Sequence, residues 1–137
     1  MNVNPIVKNL GLKLGMRALV FGAPDGYLET LTPLPEGVEI ATKPRGTFEF
    51  IQFFATRMAE VKKSAPALLQ RAAPGAVFWI TYPKKTSAVD SDLSRDILAA
   101  AMTNQGWGPV SIVALDEVWS ALRFRPIADV KSKKKEK

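Results

Sequence analysis

The sequence predicts an α/β domain with a mainly parallel sheet, helices on both faces and a C-terminal antiparallel hairpin. Three observations carry this. Short apolar runs alternate with amphipathic stretches through most of the chain, the pattern of strands joined by helical crossovers. Residues 76–82 (AVFWITY) are apolar almost throughout, as a strand covered on both faces must be. Residues 110–115 and 119–124 read as strands separated only by Asp116-Glu117-Val118, short enough for a hairpin.

The elements follow in order. Residues 17–21 (RALVF) form a strand that leaves into the loop Gly22-Ala23-Pro24-Asp25-Gly26. Residues 27–31 fit a short helix stopped by Pro33 and Pro35, and residues 38–42 a second strand closed by Lys43-Pro44. Residues 48–54 (FEFIQFF) are a third strand, rich in aromatic and β-branched side chains. Thr56 is the expected cap of a helix running toward Lys63. Pro66 interrupts it, and Ser64 recaps a second segment with Leu68, Leu69 and Ala72 toward the sheet. Pro74-Gly75 ends that segment before the central strand, in which Trp79 is a core residue. Asp90, Ser91 or Asp92 caps the next helix, with Leu93, Ile97, Leu98 and Ala101 on one stripe and Gly106 at its end. Pro126 closes the ordered part. The arrangement is Rossmann-like, one domain over residues 1–126 followed by a basic tail at 127–137.

Composition removes several chemistries. The 137 residues contain neither cysteine nor histidine, which excludes zinc fingers, iron–sulfur clusters, haem ligation through these residues and any nucleophilic site relying on them. Acid–base work falls to Asp, Glu, Lys or Tyr. Few acids cluster, so no metal site is expected. The N-terminus does not read as a signal peptide and no apolar run is long enough for a bilayer. A cytoplasmic address is the default.

The net charge of +6 is concentrated in the tail. Residues 131–137 (KSKKKEK) hold five Lys and one Glu, so the body keeps 14 basic and 12 acidic residues of the 19 and 13 in the chain. Such a tail attracts polyanions weakly and in a salt-dependent way. It does not imply specific nucleic-acid recognition.

Two stretches resemble class I methyltransferases. Residues 12–22 (LKLGMRALVFG) resemble the family's leader, first strand and glycine loop, and residues 68–83 (LLQRAAPGAVFWITYP) its later helix, Pro-Gly turn and central strand. The end from Gly106-Trp107 to Arg125 is similar to its closing hairpin. A closer resemblance is to a group of small bacterial proteins of unknown function, a DUF family. It shares the Gly-Ala-Pro loop, Tyr82-Pro83-Lys84-Lys85, and Trp119-Ser120-Ala121-Leu122-Arg123-Phe124. The methyltransferase resemblance implies an S-adenosylmethionine site at Gly22, Pro24 and Gly26, but the sequence departs from that pattern. Proline stands at the middle glycine, Thr42-Lys43 replaces the acid that holds the ribose hydroxyls, and the covering leader helix is nearly missing. Pro24 has a fixed φ and no N–H. The cofactor is therefore disfavoured, and no other is implied.

The preferred reading is a non-catalytic methyltransferase-like domain that binds a small ligand or a protein partner. The alternative is a small S-adenosylmethionine-dependent methyltransferase or nucleotide-binding enzyme with an atypical loop. Ligands of open α/β sheets bind outside the carboxyl ends of the strands at the switch in strand order, which places the crevice between residues 22–26 and 55–57. The plainer reading is that Gly22 and Gly26 only make the turn. Lys84, Lys85 and Ser87 follow the central strand, and Arg95 lies one helical turn beyond Ser91. Together they are the best anion-site candidates. Solvated loop lysines and an Arg95–Asp92 pair are the alternatives. Trp119 and Arg123 share a face of the last strand, either as a partner surface or packed inward. Asp116 and Glu117 sit where turns commonly place acids. Because residues 131–137 hold five lysines and no apolar residue, they can bury nothing. A truncation ending at Val130 is expected to melt within about two degrees of the full chain, which calorimetry checks.

Overall fold

A computed structural model describes residues 4–128, and the expectation for the lysine-rich tail lies outside them. The chain forms a short helix α1 (Pro5–Leu10), strand β1 (Arg17–Phe21) and a 3-10 turn at Leu28–Leu31. Strands β2 (Glu39–Ala41) and β3 (Phe48–Phe54), helix α2 (Met58–Gln70) and strand β4 (Ala72–Pro83) follow. Helix α3 (Arg95–Thr103) then leads into the hairpin of β5 (Trp107–Ala114) and β6 (Trp119–Pro126). The strands make one sheet in the order β2-β1-β3-β4-β6-β5. β1 runs parallel to β2 and β3, β3 runs parallel to β4, and β6 is antiparallel to both neighbours. The fold is Rossmann-like, as the alternating pattern predicts.

Both faces are covered. α2 and α3 bury Val61, Ala65, Leu68, Leu98 and Met102 against one face, beside Leu19, Ile51, Phe78, Ile80 and Phe124. α1 and the 3-10 turn bury Val7, Leu10 and Leu31 on the other, beside Ala18, Val20, Phe50 and Trp79. This is why β3 and the second half of β4 carry so few polar residues. The leader helix is short but present. Asn4 caps it by accepting from the N–H of Ile6 (2.9 Å) and Val7 (3.3 Å), and its amide donates to the carbonyls of Thr30 and Thr32.

Four expectations from the sequence need correction. Pro66 does not divide the helix: α2 runs unbroken through it. A proline there removes one i→i−4 bond, but Ala65 and Leu68 on either side are packed on the sheet and hold the backbone helical. Glu60 rather than Thr56 closes the start of α2, its carboxylate accepting from the N–H of Thr56 (2.8 Å) and Arg57 (3.0 Å). β4 begins at Ala72, before Pro74-Gly75. The pairing jumps from Phe48↔Ala72 to Phe50↔Val77, so the extra residues bulge out, with Gly75 at φ +77°. Finally, Ser94 caps α3, accepting from the Ile97 N–H at 3.2 Å. With that phase Leu98 and Met102 face the core, and Ile97 is left 46% exposed.

Trp79 is buried as expected, and its indole N–H donates to the Leu10 carbonyl at 2.7 Å. It joins the central strand to α1. Trp79→Ala is expected to cost about 3–5 kcal/mol in urea unfolding. Trp79→Phe, which keeps the apolar bulk but loses the donor, should cost less than half as much.

Candidate functional site

The strand order reverses direction around β1, whose neighbours are β2 and β3, so the β1–β3 boundary is the switch point. The loop leaving β1 borders a crevice of about 310 Å³ that lies on the β2 side, with Leu28, Glu29 and Thr42 on its walls and none of residues 55–57, contrary to the sequence-based placement. Gly22 has φ +78°, and a Cβ on it would stand 3.0 Å from the Phe54 carbonyl oxygen. Glycine is required both by conformation and by this close approach to β3. Gly26 has φ +86° with open space around it, so conformation alone selects it. Pro24 lies between them, and its carbonyl accepts from the Tyr27 N–H at 3.1 Å, closing the loop as a turn.

The walls differ from the sequence-based expectation. Thr42, Asp25 and Glu29 line the crevice together with Gly22, Pro24 and Gly26, whereas Lys43 does not. Acceptors for hydroxyls are therefore available as carboxylates from the loop and the 3-10 turn, with only the Thr42 hydroxyl from the end of β2. Spacing along β2 could not reveal them, because the 3-10 turn folds back only in three dimensions.

Beneath the crevice, Gln52 of β3 is fully buried. Its amide oxygen accepts from the Tyr27 hydroxyl (2.9 Å) and its amide nitrogen donates to the Thr81 hydroxyl (3.0 Å). Burial, opposed by the Gln52 bond, pushes the Tyr27 hydroxyl up to about 12, so it remains a donor at neutral pH.

A second cleft, of about 370 Å³, opens at the carboxyl end of β4. Tyr82 and Ser120 are register partners across β4 and β6, and both line it with Lys84, Lys85, Ser94 and Arg95. The structure thus brings Lys84, Lys85 and Arg95 together. Ser87 does not line this cleft, although it shares the adjoining hollow with Lys84 and Lys85. Its hydroxyl is engaged in a turn, donating to the Lys84 carbonyl at 2.8 Å. Arg95 pairs with Asp96 (3.5 Å) rather than Asp92, which instead accepts from the Met58 N–H at 2.8 Å. Sequence reasoning missed Tyr82 and Ser120 because their juxtaposition depends on the β4–β6 register.

Other candidates have structural roles. Asp116 accepts from the N–H groups of Val118 and Trp119, both at 2.8 Å, and so shapes the hairpin turn. Trp119 packs edge-on to Phe54, the inward alternative for that residue. Among the described residues no group of His, Cys, Asp and Glu could hold a metal ion, and no helix is long and apolar enough to cross a membrane.

No family model and no curated protein sequence matches the chain, so the resemblance to a DUF family gains no support there. Solved structures do match. An S-adenosylmethionine-dependent methyltransferase from Aquifex aeolicus is 17% identical, with a TM-score of 0.63 over 87% of this chain and 86% of that one. DhpI in complex with SAH is 14% identical, with a TM-score of 0.60 over 84% and 78% of the two chains. Magnesium protoporphyrin IX methyltransferase from Synechocystis PCC 6803 with bound SAH is 10% identical, with a TM-score of 0.59 over 89% and 78%. The fold is that of class I methyltransferases. At these identities the likeness extends to the fold alone.

Within this methyltransferase fold, the segment before α3 is tied to the start of α2. Asp90 pairs with Arg57, the Ser91 hydroxyl donates to the Thr56 carbonyl (2.7 Å), and Asp92 accepts from Met58. Glu60 holds the same turn from the other side. Its bond from the Thr56 N–H, helped by Arg57 and opposed by slight burial, keeps its carboxyl below the usual range. A lowered folded pKa gives stability that is present above the ordinary glutamate value and lost as pH falls through the folded one. Glu60→Gln is therefore expected to lower the urea midpoint at neutral pH, with the gap to wild type narrowing by about pH 3. A gap that stays constant across this range would contradict the assignment.

Proposed function

We propose that this chain is a small-ligand-binding protein built on a class I methyltransferase scaffold, and that its switch-point crevice admits an S-adenosylmethionine-type ligand only weakly. One observation carries the reading. The crevice keeps its glycine turn and has Asp25, Glu29 and Thr42 on its walls, but Pro24 occupies the centre of the loop. The acids and the hydroxyl suit ribose hydroxyls, which need acceptors. Pro24 takes one N–H donor away from the loop and stiffens it. Losing one such hydrogen bond costs about 1–3 kcal/mol, roughly ten- to a hundredfold in affinity.

The second reading is a methyltransferase. It is favoured by neighbours of the same fold that carry SAM or SAH. Under it the ligand supplies the methyl group. Gly22 and Gly26 shape the loop that holds the ligand, and Asp25, Glu29 and Thr42 offer the acceptors.

Calorimetric titration with S-adenosylmethionine and its demethylated product separates the two. The wild type is expected to bind no tighter than the high-micromolar range, an order-of-magnitude figure. Pro24→Gly combined with Thr42→Asp should tighten binding about tenfold or more. Low-micromolar binding by the wild type would replace the proposal with the methyltransferase reading. Absence of binding by both proteins would reduce the crevice to a turn.

A further inference from the structure

The cleft at the end of β4 differs in chemistry from the crevice at β1, and the two share no lining residue. Its floor carries two hydroxyls. Tyr82 is 6% exposed and Ser120 is 8% exposed as residues, both line the cleft, and their hydroxyls are open to it without a hydrogen-bond partner among the described residues. Two adjacent hydroxyls that face one cleft on largely buried side chains, and that no protein group engages, are free to hydrogen-bond a ligand there.

The rim is cationic. Lys84, Lys85 and Arg95 stand around the opening with Asp96 as the one carboxylate among the lining residues. Neither lysine has an ion-pair partner among the described residues, and the nearby Asp90 and Asp92 are engaged by Arg57 and by the Met58 N–H. The N-terminus of α3, a nine-residue helix capped at Ser94, opens on the same cleft, which adds backbone N–H groups and the positive end of a helix dipole. Burial, only partly offset by the Arg95 charge, raises the Tyr82 hydroxyl above its ordinary value, so it is protonated and able to donate at neutral pH.

We propose that this cleft is an oxyanion site for a phosphate monoester, with the Tyr82 and Ser120 hydroxyls donating to the phosphate from below and Lys84, Lys85 and Arg95 closing on it from the rim. Three cations against one carboxylate match a dianion better than a monoanion. Hydroxyls on largely buried side chains give fixed directions that solvated lysines alone do not. The site stands independently of the adenosyl reading, since it uses other residues at another strand end.

The test is a nitrogen–proton correlation titration of the full chain with inorganic phosphate, with chloride at matched ionic strength as control and acetate as the monoanion. Phosphate is expected to saturate with millimolar affinity, an order-of-magnitude figure for a bare ion, and to shift the amides of residues 82, 84, 85, 94–96 and 120. Lys84→Gln with Lys85→Gln should weaken it about tenfold, and Tyr82→Phe several-fold with the folded spectrum retained. Lys62→Gln with Lys63→Gln, on the exposed side of α2, should leave it unchanged. Equal losses in the two lysine pairs would reduce the effect to general screening and overturn the site. Acetate binding as tight as phosphate would overturn the dianion assignment. A null adenosyl titration with intact phosphate binding would remove only the crevice reading, and the reverse result would remove only this one.

Discussion

Gln52 sets the constraint on which the centre of this domain depends. It is a polar residue in a strand flanked by strands on both sides and covered on both faces, with no access to water. A buried amide without partners costs on the order of 1–3 kcal/mol. The chain meets that demand from two different elements, Tyr27 beyond the β1 loop and Thr81 in β4. Tyr27 can reach Gln52 only if the loop turns tightly after Phe21, which needs the positive φ of Gly22 and its approach to the Phe54 carbonyl. The glycine loop therefore has a structural duty whether or not it also touches a ligand.

The same tyrosine begins an aromatic chain. Its ring packs edge-on to Phe54 with centroids 4.6 Å apart, and Phe54 packs in the same manner on Trp119 at 5.2 Å. Such pairs contribute about 0.5–1.5 kcal/mol each beyond the area they bury. They connect the β1 loop, the end of β3 and the start of β6, so the parallel half of the sheet and the antiparallel hairpin meet over common side chains. On the opposite side of the carboxyl edge, Asp90, Ser91 and Asp92 fasten the segment before α3 to the first turn of α2. Each cleft consequently has one wall fixed by contacts that no ligand is needed to make.

Much of this was legible in the sequence, and the failures share one cause. β1 and β3 coincide with their apolar runs, and the hairpin falls around Asp116, because these signals are local. Pro66, Pro74-Gly75 and the cap of α3 were misjudged because proline, glycine and serine each have several local uses that packing decides. Pro66 is tolerated where Ala65 and Leu68 dock on the sheet, and Gly75 becomes a bulge because β3 pairs on both sides of it. At the sites, Lys84, Lys85 and Arg95 could be named from their place after the central strand. Tyr82 and Ser120 could not, since they lie 38 positions apart by their own numbers and meet only through antiparallel pairing. Glu29 reaches the crevice only because the 3-10 turn folds back on the β1 loop, Asp25 lies within that loop itself, and Lys43 does not line the crevice.

The electrostatics of the two clefts give a reason to expect different ligands at one sheet edge. The β1 crevice has two carboxylates and no cation among its lining residues, whereas the β4 cleft has three cations and one carboxylate. Fields of opposite sign in neighbouring concavities favour opposite charges and repel the wrong one. The first field favours cationic groups, and the second favours the phosphate proposed for it. One molecule bearing both kinds of group would have to span the edge between them. Two separate ligands would need only the local field of each cleft, and the disjoint linings leave each proposed site independent of the other.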